Sequence, residues 1–268
     1  MSDGQSEGPG RIILQRSGSI GRLCIHNPAR LNAMSLSMWH QLASCVRELD
    51  DDPEIRVILL GGDGGKAFCA GGDISEFDRV RSGEEAASGY NSAGSAAMAA
   101  LHGASKPTIA VIRGFCLGGG LGLALQCDLR LAAADAVLGI PAVRRGIAYG
   151  YGSVRQLVDL IGPGNAINVL VTGRRFSAAE ALAMGLINEV HDAGAIGSAA
   201  TSLAETIAGN APLAVRSAKF MVQMALRDPA ERDLTACTAL EAACLGSEDY
   251  REATRAFMEK RPPVFRGR

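Results

Sequence analysis

The stretch RGFCLGGGLGLALQCDLRLA, from Arg113 to Ala132, places three consecutive glycines between two apolar segments. The preceding segment KPTIAVI, residues 106–112, is rich in β-branched residues and predicts a buried strand. The apolar run after the glycines is too long for a surface loop and predicts a helix. The sequence therefore puts Gly118, Gly119 and Gly120 at a strand-to-helix turn with few chemically active side chains nearby.

Two interpretations of this turn are open. The first amides of a helix have no internal partner, glycine lets another group approach them closely, and the helix dipole adds positive charge. The turn then predicts a site for an anion or a developing oxyanion. Alternatively, the glycines admit a tightly packed neighbouring element.

A second glycine bend favours the first interpretation. In KAFCAGGDI, residues 66–74, a short buried strand runs into Ala70, Gly71, Gly72 and Asp73. Two strands that end in exposed amides can each aim one donor at a single carbonyl oxygen. This arrangement predicts a two-donor oxyanion hole, in which losing one donor typically costs about 3–4 kcal/mol of barrier.

The rest of the chain predicts an α/β layer followed by helices. A strand pair, RIILQ and IGRLCIH, precedes a helix from about Ser35, and the buried strand IRVILLGG follows at 55–62. We predict a disordered lead at 1–10, a core at 11–200 and a helical region at 201–268. A helix at 84–102, weakened by glycines, is predicted either as a cover over a site or as a loose surface helix.

Composition excludes several classes of function. The 27 basic and 28 acidic residues give a net charge of −1, so no footprint for nucleic acid or an anionic membrane is expected. No apolar run approaches the ~20 residues of a membrane span, and the N-terminus does not resemble a signal peptide. The 7 cysteines form no CxxC pair and the 4 histidines are isolated. We expect a cytoplasmic protein with reduced thiols and no metal.

The sequence does not match the common nucleotide-binding loop motifs. GGDGGKA, residues 61–67, has Leu60 where a P-loop needs its first glycine, and Ala67 follows Lys66 where serine or threonine is required. A loose dinucleotide fingerprint at 62–67 is followed by a predicted strand and not by a helix. A nicotinamide dehydrogenase therefore remains only a distant alternative.

Five segments together resemble the enoyl-CoA hydratase/isomerase, or crotonase, family. They are NPARLNAMS, KAFCAGGDI, FCLGGGLGLALQCDLRLA, TGRRFSAAEALAMGLINEV and SEDYREATRAFMEKRPPVF, and the resemblance runs from about Arg11 to Phe265. It implies a ββα spiral with C-terminal helices that build a homotrimer or hexamer. It also implies an acyl-CoA substrate whose carbonyl oxygen is held by the amides of Ala70 and Gly119, with no cofactor beyond the coenzyme A of the substrate.

The resemblance also implies a set of binding residues. The stretch from Lys66 to Ile74 cups the adenine, Arg30 approaches the phosphates, and the C-terminal residues reach the nucleotide, in some members from a neighbouring subunit. The implied contacts are Arg30, Lys66, Ala70, Gly71, Gly72, Asp73, Ile74, Gly118, Phe257 and Lys260. For Arg30 and Lys260, a solvated surface charge is the alternative.

The chain departs from the family's hydratases at both catalytic glutamates. The positions that match them hold Gly122 and Ala142, which cannot move a proton. Ordinary hydration is therefore not expected, and the reaction is open among lyase, isomerase, decarboxylase and hydrolase chemistry. A non-catalytic acyl-CoA-binding protein is the rival reading.

Tyr149 is the candidate replacement for the missing acids. It resembles a tyrosine of methylmalonyl-CoA decarboxylase, whose C-terminal segment is also similar, although that enzyme has histidine where this chain has Gly72. Decarboxylation needs an enolate stabiliser and a slot for a carboxylate, for which Arg144 and Arg145 are candidates. A packed tyrosine and two surface arginines are the alternatives.

Overall fold

The computed structural model describes residues 10–73 and 84–268, so residues 1–9 of the predicted lead 1–10, and Ile74, lie outside the described residues. The strands are β1 (Arg11–Ser17), β2 (Ile20–His26), β3 (Val57–Gly62), β4 (Ala67–Cys69), β5 (Thr108–Ile112), β6 (Phe115–Leu117), β7 (Leu129–Ala133), β8 (Val137–Gly139), β9 (Arg175–Ser177) and β10 (Glu189–His191). The helices are α1 (Leu36–Asp51), α2 (Glu84–Gly103), α3 (Gly119–Ala124), α4 (Tyr151–Thr172), α5 (Ala178–Ala183), α6 (Ile196–Ala208), α7 (Pro212–Leu226), α8 (Leu234–Gly246) and α9 (Glu248–Met258).

Two sheets alternate along the chain. The larger has the order β1-β2-β3-β5-β7-β10, and the smaller has the order β4-β6-β8-β9. The first turn, β1-β2-α1, puts both strands in the larger sheet. The next two turns, β3-β4-α2 and β5-β6-α3, each add one strand to the larger sheet, then a short strand to the smaller sheet, then a helix. The predicted ββα spiral of the crotonase type is confirmed.

The core lies on both faces of the larger sheet. On one face, α1 buries Met38, Leu42, Val46 and Leu49, the helical spacing that the sequence predicts. Ser35 caps this helix by accepting a hydrogen bond from the Met38 amide, which satisfies one of the unpaired donors of the first turn.

The other face of the larger sheet is covered by α6. Its residues Ile196, Ala200, Ala204 and Ala208 repeat every four positions and are all buried against the strands. The predicted boundary between 200 and 201 therefore cuts through a core helix. The helices outside the core begin with α7, at Pro212.

Glycine is required where the chain crosses from one sheet to the other. Gly114, between β5 and β6, has φ +57°, and a Cβ there would overlap the Lys66 carbonyl. A Cβ on Gly62 would likewise overlap the carbonyl oxygen of Ala67. These two contacts let β4 and β6 run side by side.

The C-terminal helices leave apolar surface uncovered in the single chain. Helix α8 is rich in leucine, alanine and cysteine, yet none of its residues is buried. Leu234, Leu245, Phe257 and Met258 are all exposed. Separately, no helix in the described part of the chain is long and apolar enough to cross a bilayer.

Candidate active site

The two glycine bends lie side by side. Strands β4 and β6 pair in parallel with Cys69 opposite Cys116, so their carboxyl ends meet at one edge of the smaller sheet. A Cβ built on Gly119 would lie 3.7 Å from the Gly72 nitrogen, and one on Gly71 would lie 3.5 Å from the Gly119 nitrogen. The main chains of the two bends, including the nitrogens of Gly72 and Gly119, are therefore close neighbours.

The structure corrects the choice of donor in the first bend. The Ala70 amide donates to the carbonyl oxygen of Leu31 at 3.1 Å, so it is not available to a ligand. The Gly71 amide contacts the Cys69 Sγ at 3.4 Å, and the Asp73 amide donates to the Met34 carbonyl at 2.8 Å. Within the described residues, the Gly72 amide has no acceptor. The structure therefore contradicts the prediction that the Ala70 amide is the donor, and leaves Gly72, predicted only as a binding residue, as the candidate donor of this bend.

The second bend keeps the predicted donor. The Gly118 amide donates to the Gly139 carbonyl at 2.8 Å, and its φ of +54° makes it the turn residue. In the part of the chain that the structure describes, the Gly119 amide has no acceptor. Because α3 is only six residues long, its dipole adds little, and the two amides themselves define the site.

A short segment before α1 fixes the first bend. Leu31 and Asn32 both have left-handed backbones, and the buried Asn32 side chain donates to the carbonyl oxygens of Asp63 and Ala67. The Leu31 carbonyl oxygen then accepts the hydrogen bond from the Ala70 amide. The motif NPARLNAM was visible in the sequence, but the hydrogen bonds by which it fixes the glycine bend were not predicted.

The positions of the two missing glutamates hold apolar atoms. A Cβ on Gly122 would lie 3.4 Å from the Cε methyl of Met98, so a thioether faces this position. Ala142 packs against the core cluster. The acid nearest to the Gly72 amide along the chain is Asp73, the next residue. This residue is buried and already interacts with another group of the protein.

Tyr149 lies beside the strand that leads to the second bend. Its ring packs against the core, and burial raises the pKa of the phenol to about 12, with a smaller contribution from the Cys116 thiol. The phenol is therefore neutral at physiological pH. It can donate a proton or a hydrogen bond, but it cannot serve as a resting general base.

The cysteines near the bends are structural. Cys69, Cys116 and Cys127 are free and fully or almost fully buried. Burial raises the pKa of the Cys69 thiol to about 12, which suppresses its thiolate. Burial in the core is confirmed for these three thiols.

The charged residues predicted to bind the nucleotide are solvent-exposed. Arg30 and Lys66 are exposed, and neither forms an ion pair with another described residue. Phe257 is 81% exposed, and Lys260 has a left-handed backbone with φ +55°. Their contacts with a nucleotide stay predictions.

The predicted carboxylate clamp is also on the surface. Arg144 and Arg145 are exposed in the 3-10 turn Pro141–Arg145, and the Arg144 side chain lies against Gly173. The described residues contain no group of three or more histidine, cysteine or acidic side chains placed to hold a metal ion.

The ββα spiral is the fold of the crotonase class, and in the described residues it brings two amides without an acceptor next to each other. A family model described as enoyl-CoA hydratase/isomerase matches residues 15–268. The short-chain-enoyl-CoA hydratase of Clostridium acetobutylicum is 33% identical over 250 residues, covering 93% of this chain and 95% of that protein. The peroxisomal Delta(3,5)-Delta(2,4)-dienoyl-CoA isomerase of Arabidopsis thaliana is 34% identical over 259 residues, covering 92% of each.

A solved structure agrees with these relatives. The crystal structure of an enoyl-CoA hydratase/carnithine racemase from Magnetospirillum magneticum matches with a TM-score of 0.90 at 36% identity, covering 96% of both chains. The chain belongs to the enoyl-CoA hydratase/isomerase family.

Proposed function

We propose that this protein is an enzyme that acts on an acyl-CoA thioester. The amides of Gly72 and Gly119 bind the thioester carbonyl oxygen and stabilise the enolate that forms there. The observation that carries the proposal is the pair of adjacent amides without an acceptor in the described residues. Relatives named as hydratase and as isomerase both support an acyl-CoA substrate.

The two amides of the proposed oxyanion hole are held in place by the strands that precede them. Each donor sits at the end of a paired strand, so the amides are already oriented before charge develops on the oxygen. A donor of this kind, aimed at the oxyanion, lowers the barrier by about 3–4 kcal/mol. The scaffold can therefore stabilise an enolate without any side chain at the carbonyl.

We further propose that the reaction does not use paired carboxylates. Gly122 and Ala142 leave no acid at either hydratase position, which favours reactions that form the enolate in another way. In a decarboxylation, the bond from the α-carbon to the carboxylate breaks, its electron pair enters the enolate, and carbon dioxide leaves. The Tyr149 phenol can then give its proton to the α-carbon and regain one from water.

The nucleotide half and the assembly complete the proposal. Arg30 and Lys66 are exposed cations with no ion pair in the described residues, as phosphate ligands would be before binding. The bare apolar surface of α8, together with Phe257 and Met258, supports a homotrimer or hexamer in which these residues are covered.

Turnover of a panel of thioesters tests the function. The purified protein is offered enoyl-, malonyl- and β-ketoacyl-CoAs, and the products are identified by mass spectrometry. We expect product from at least one malonyl-type or isomerisable thioester, with coenzyme A as a competitive inhibitor. Tight binding across the panel with no product would establish the rival function, an acyl-CoA-binding protein without catalysis.

Tyr149→Phe is expected to lower kcat at least about 10-fold if the phenol delivers the proton, with little change in KM. The wild-type rate should show no loss assignable to this group between pH 7 and 9, because its pKa of about 12 keeps it protonated there. Activity that depends on the phenol is lost only as the pH rises toward 12. Steady-state kinetics across this range check both points, and an unchanged kcat in the variant would make Tyr149 a packing residue.

A further inference from the structure

A buried hydrogen bond joins helix α2 to the segment beside the first glycine bend. The Tyr90 hydroxyl donates a hydrogen bond of 2.8 Å to the carbonyl oxygen of Met34. Tyr90 is only 5% exposed, so this bond is shielded from water. A buried hydroxyl bond of this kind fixes the distance between the helix and the Met34 segment.

Met34 in turn holds the bend on both sides of the Gly72 donor. Its amide donates to the Gly71 carbonyl at 2.8 Å, and its carbonyl accepts the Asp73 amide at 2.8 Å. The Met34 carbonyl therefore accepts from both Asp73 and Tyr90. Any movement of this carbonyl shifts the peptide units on either side of Gly72.

The same helix also reaches the second bend. Met98 lies two turns after Tyr90, and its Cε stands 3.4 Å from a Cβ built on Gly122, three residues after the Gly119 donor. Helix α2 thus contacts Met34 beside the first bend, through Tyr90, and lies next to Gly122 after the second bend, through Met98. Gly89 and Gly94 each weaken its backbone by about 1 kcal/mol relative to alanine, so its side-chain contacts matter more for its position.

We propose that Tyr90 is a positioning residue that sets the Gly72 amide against the Gly119 amide through the Met34 carbonyl. This inference rests on the proposed oxyanion hole. It adds to that proposal a side chain that touches neither substrate nor reacting atoms. In this proposal, helix α2 keeps the amides of Gly72 and Gly119 close enough to bind the same oxygen atom.

Tyr90→Phe tests the proposal because it removes only the hydroxyl. The readout is the absorption maximum of bound 2,4-hexadienoyl-CoA, a conjugated thioester whose spectrum shifts to longer wavelength when donors polarise its carbonyl. We expect the wild type to shift the spectrum and Tyr90→Phe to shift it much less. The dissociation constant should change less than about 3-fold, and kcat on a substrate of the thioester panel should fall about 3–10-fold, the loss expected for one hydrogen bond.

Two controls separate positioning from general damage. Tyr250→Phe removes a hydroxyl from an exposed tyrosine and should leave spectrum and kcat unchanged. Met98→Leu keeps an apolar side chain at the other contact and should retain most of the shift. Hydrogen exchange in Tyr90→Phe should be faster at the Asp73 amide, while the amides of β3 keep their protection.

A full spectral shift with normal kcat in Tyr90→Phe would overturn the positioning role and leave the proposed function intact. Unchanged exchange at Asp73 would count against it in the same way, even if the variant were less stable. A wild type that binds the thioester without any shift would remove the oxyanion hole itself, and both proposals with it.

Discussion

Gly119→Ala is expected to lower kcat/KM about 10²–10³-fold while leaving the fold intact. The added Cβ would lie 3.7 Å from the Gly72 nitrogen and 3.7 Å from the Gly71 Cα, which are ordinary contacts. The methyl group therefore fits, but it fills the space between the two donors where the thioester oxygen belongs. Kinetics on the best substrate of the thioester panel measure the loss.

The matched control is Gly164→Ala, another helical glycine, where a Cβ would meet nothing within 4 Å. Both variants should unfold at a temperature close to that of the wild type. The Gly119 variant should also bind free coenzyme A normally, because only the carbonyl site is blocked. Normal turnover in Gly119→Ala would show that the oxygen is held elsewhere.

Gly120→Ala, one residue further on, is expected to damage the fold itself. A Cβ there would overlap the carbonyl oxygen of Cys69 and stand 2.7 Å from its carbonyl carbon. These are main-chain atoms of β4, so they cannot move aside as a flexible side chain would. Overpacking of this kind costs about 3 kcal/mol. In a chain of this size, that loss lowers the unfolding temperature by about 6–12 °C.

Differential scanning calorimetry measures this effect, again beside Gly164→Ala. Activity should fall in Gly120→Ala only together with the folded fraction. An unchanged unfolding temperature would mean that β4 and α3 are packed less closely than the structure shows. The two neighbouring glycines thus separate a chemical requirement from a packing requirement, which were the two interpretations left open by the sequence.

The sequence was sufficient for the parts of the fold that repeat locally. Apolar residues at helical spacing predicted α1 and its start near Ser35, and the β-branched runs predicted β3 and β5. At the start of α5, Ser177 and Glu180 form a reciprocal capping box, and a serine followed three residues later by glutamate is a local sequence signal for a helix start. Each of these signals lies within a few residues of the element it specifies.

The sequence was not sufficient to choose the donor in the first bend. Ala70 and Gly72 are two residues apart in the same bend, and only the partner of each amide distinguishes them. That partner is Leu31, 39 residues earlier in the chain. The contact of Tyr90 with Met34 spans 56 residues and is equally invisible to local patterns. The donor of the first bend and the position of Tyr90 are therefore set by long-range hydrogen bonds, which local residue propensities do not reveal.

A site built from peptide nitrogens has an evolutionary consequence. No exchange of one side chain for another deletes such a donor unless the new residue adds bulk or is proline. Positions 122, 142 and 149 are therefore open to drift while the proposed pair of amide donors is inherited unchanged. A lineage on this scaffold can acquire a new reaction through one or two substitutions, without first losing its hold on the substrate.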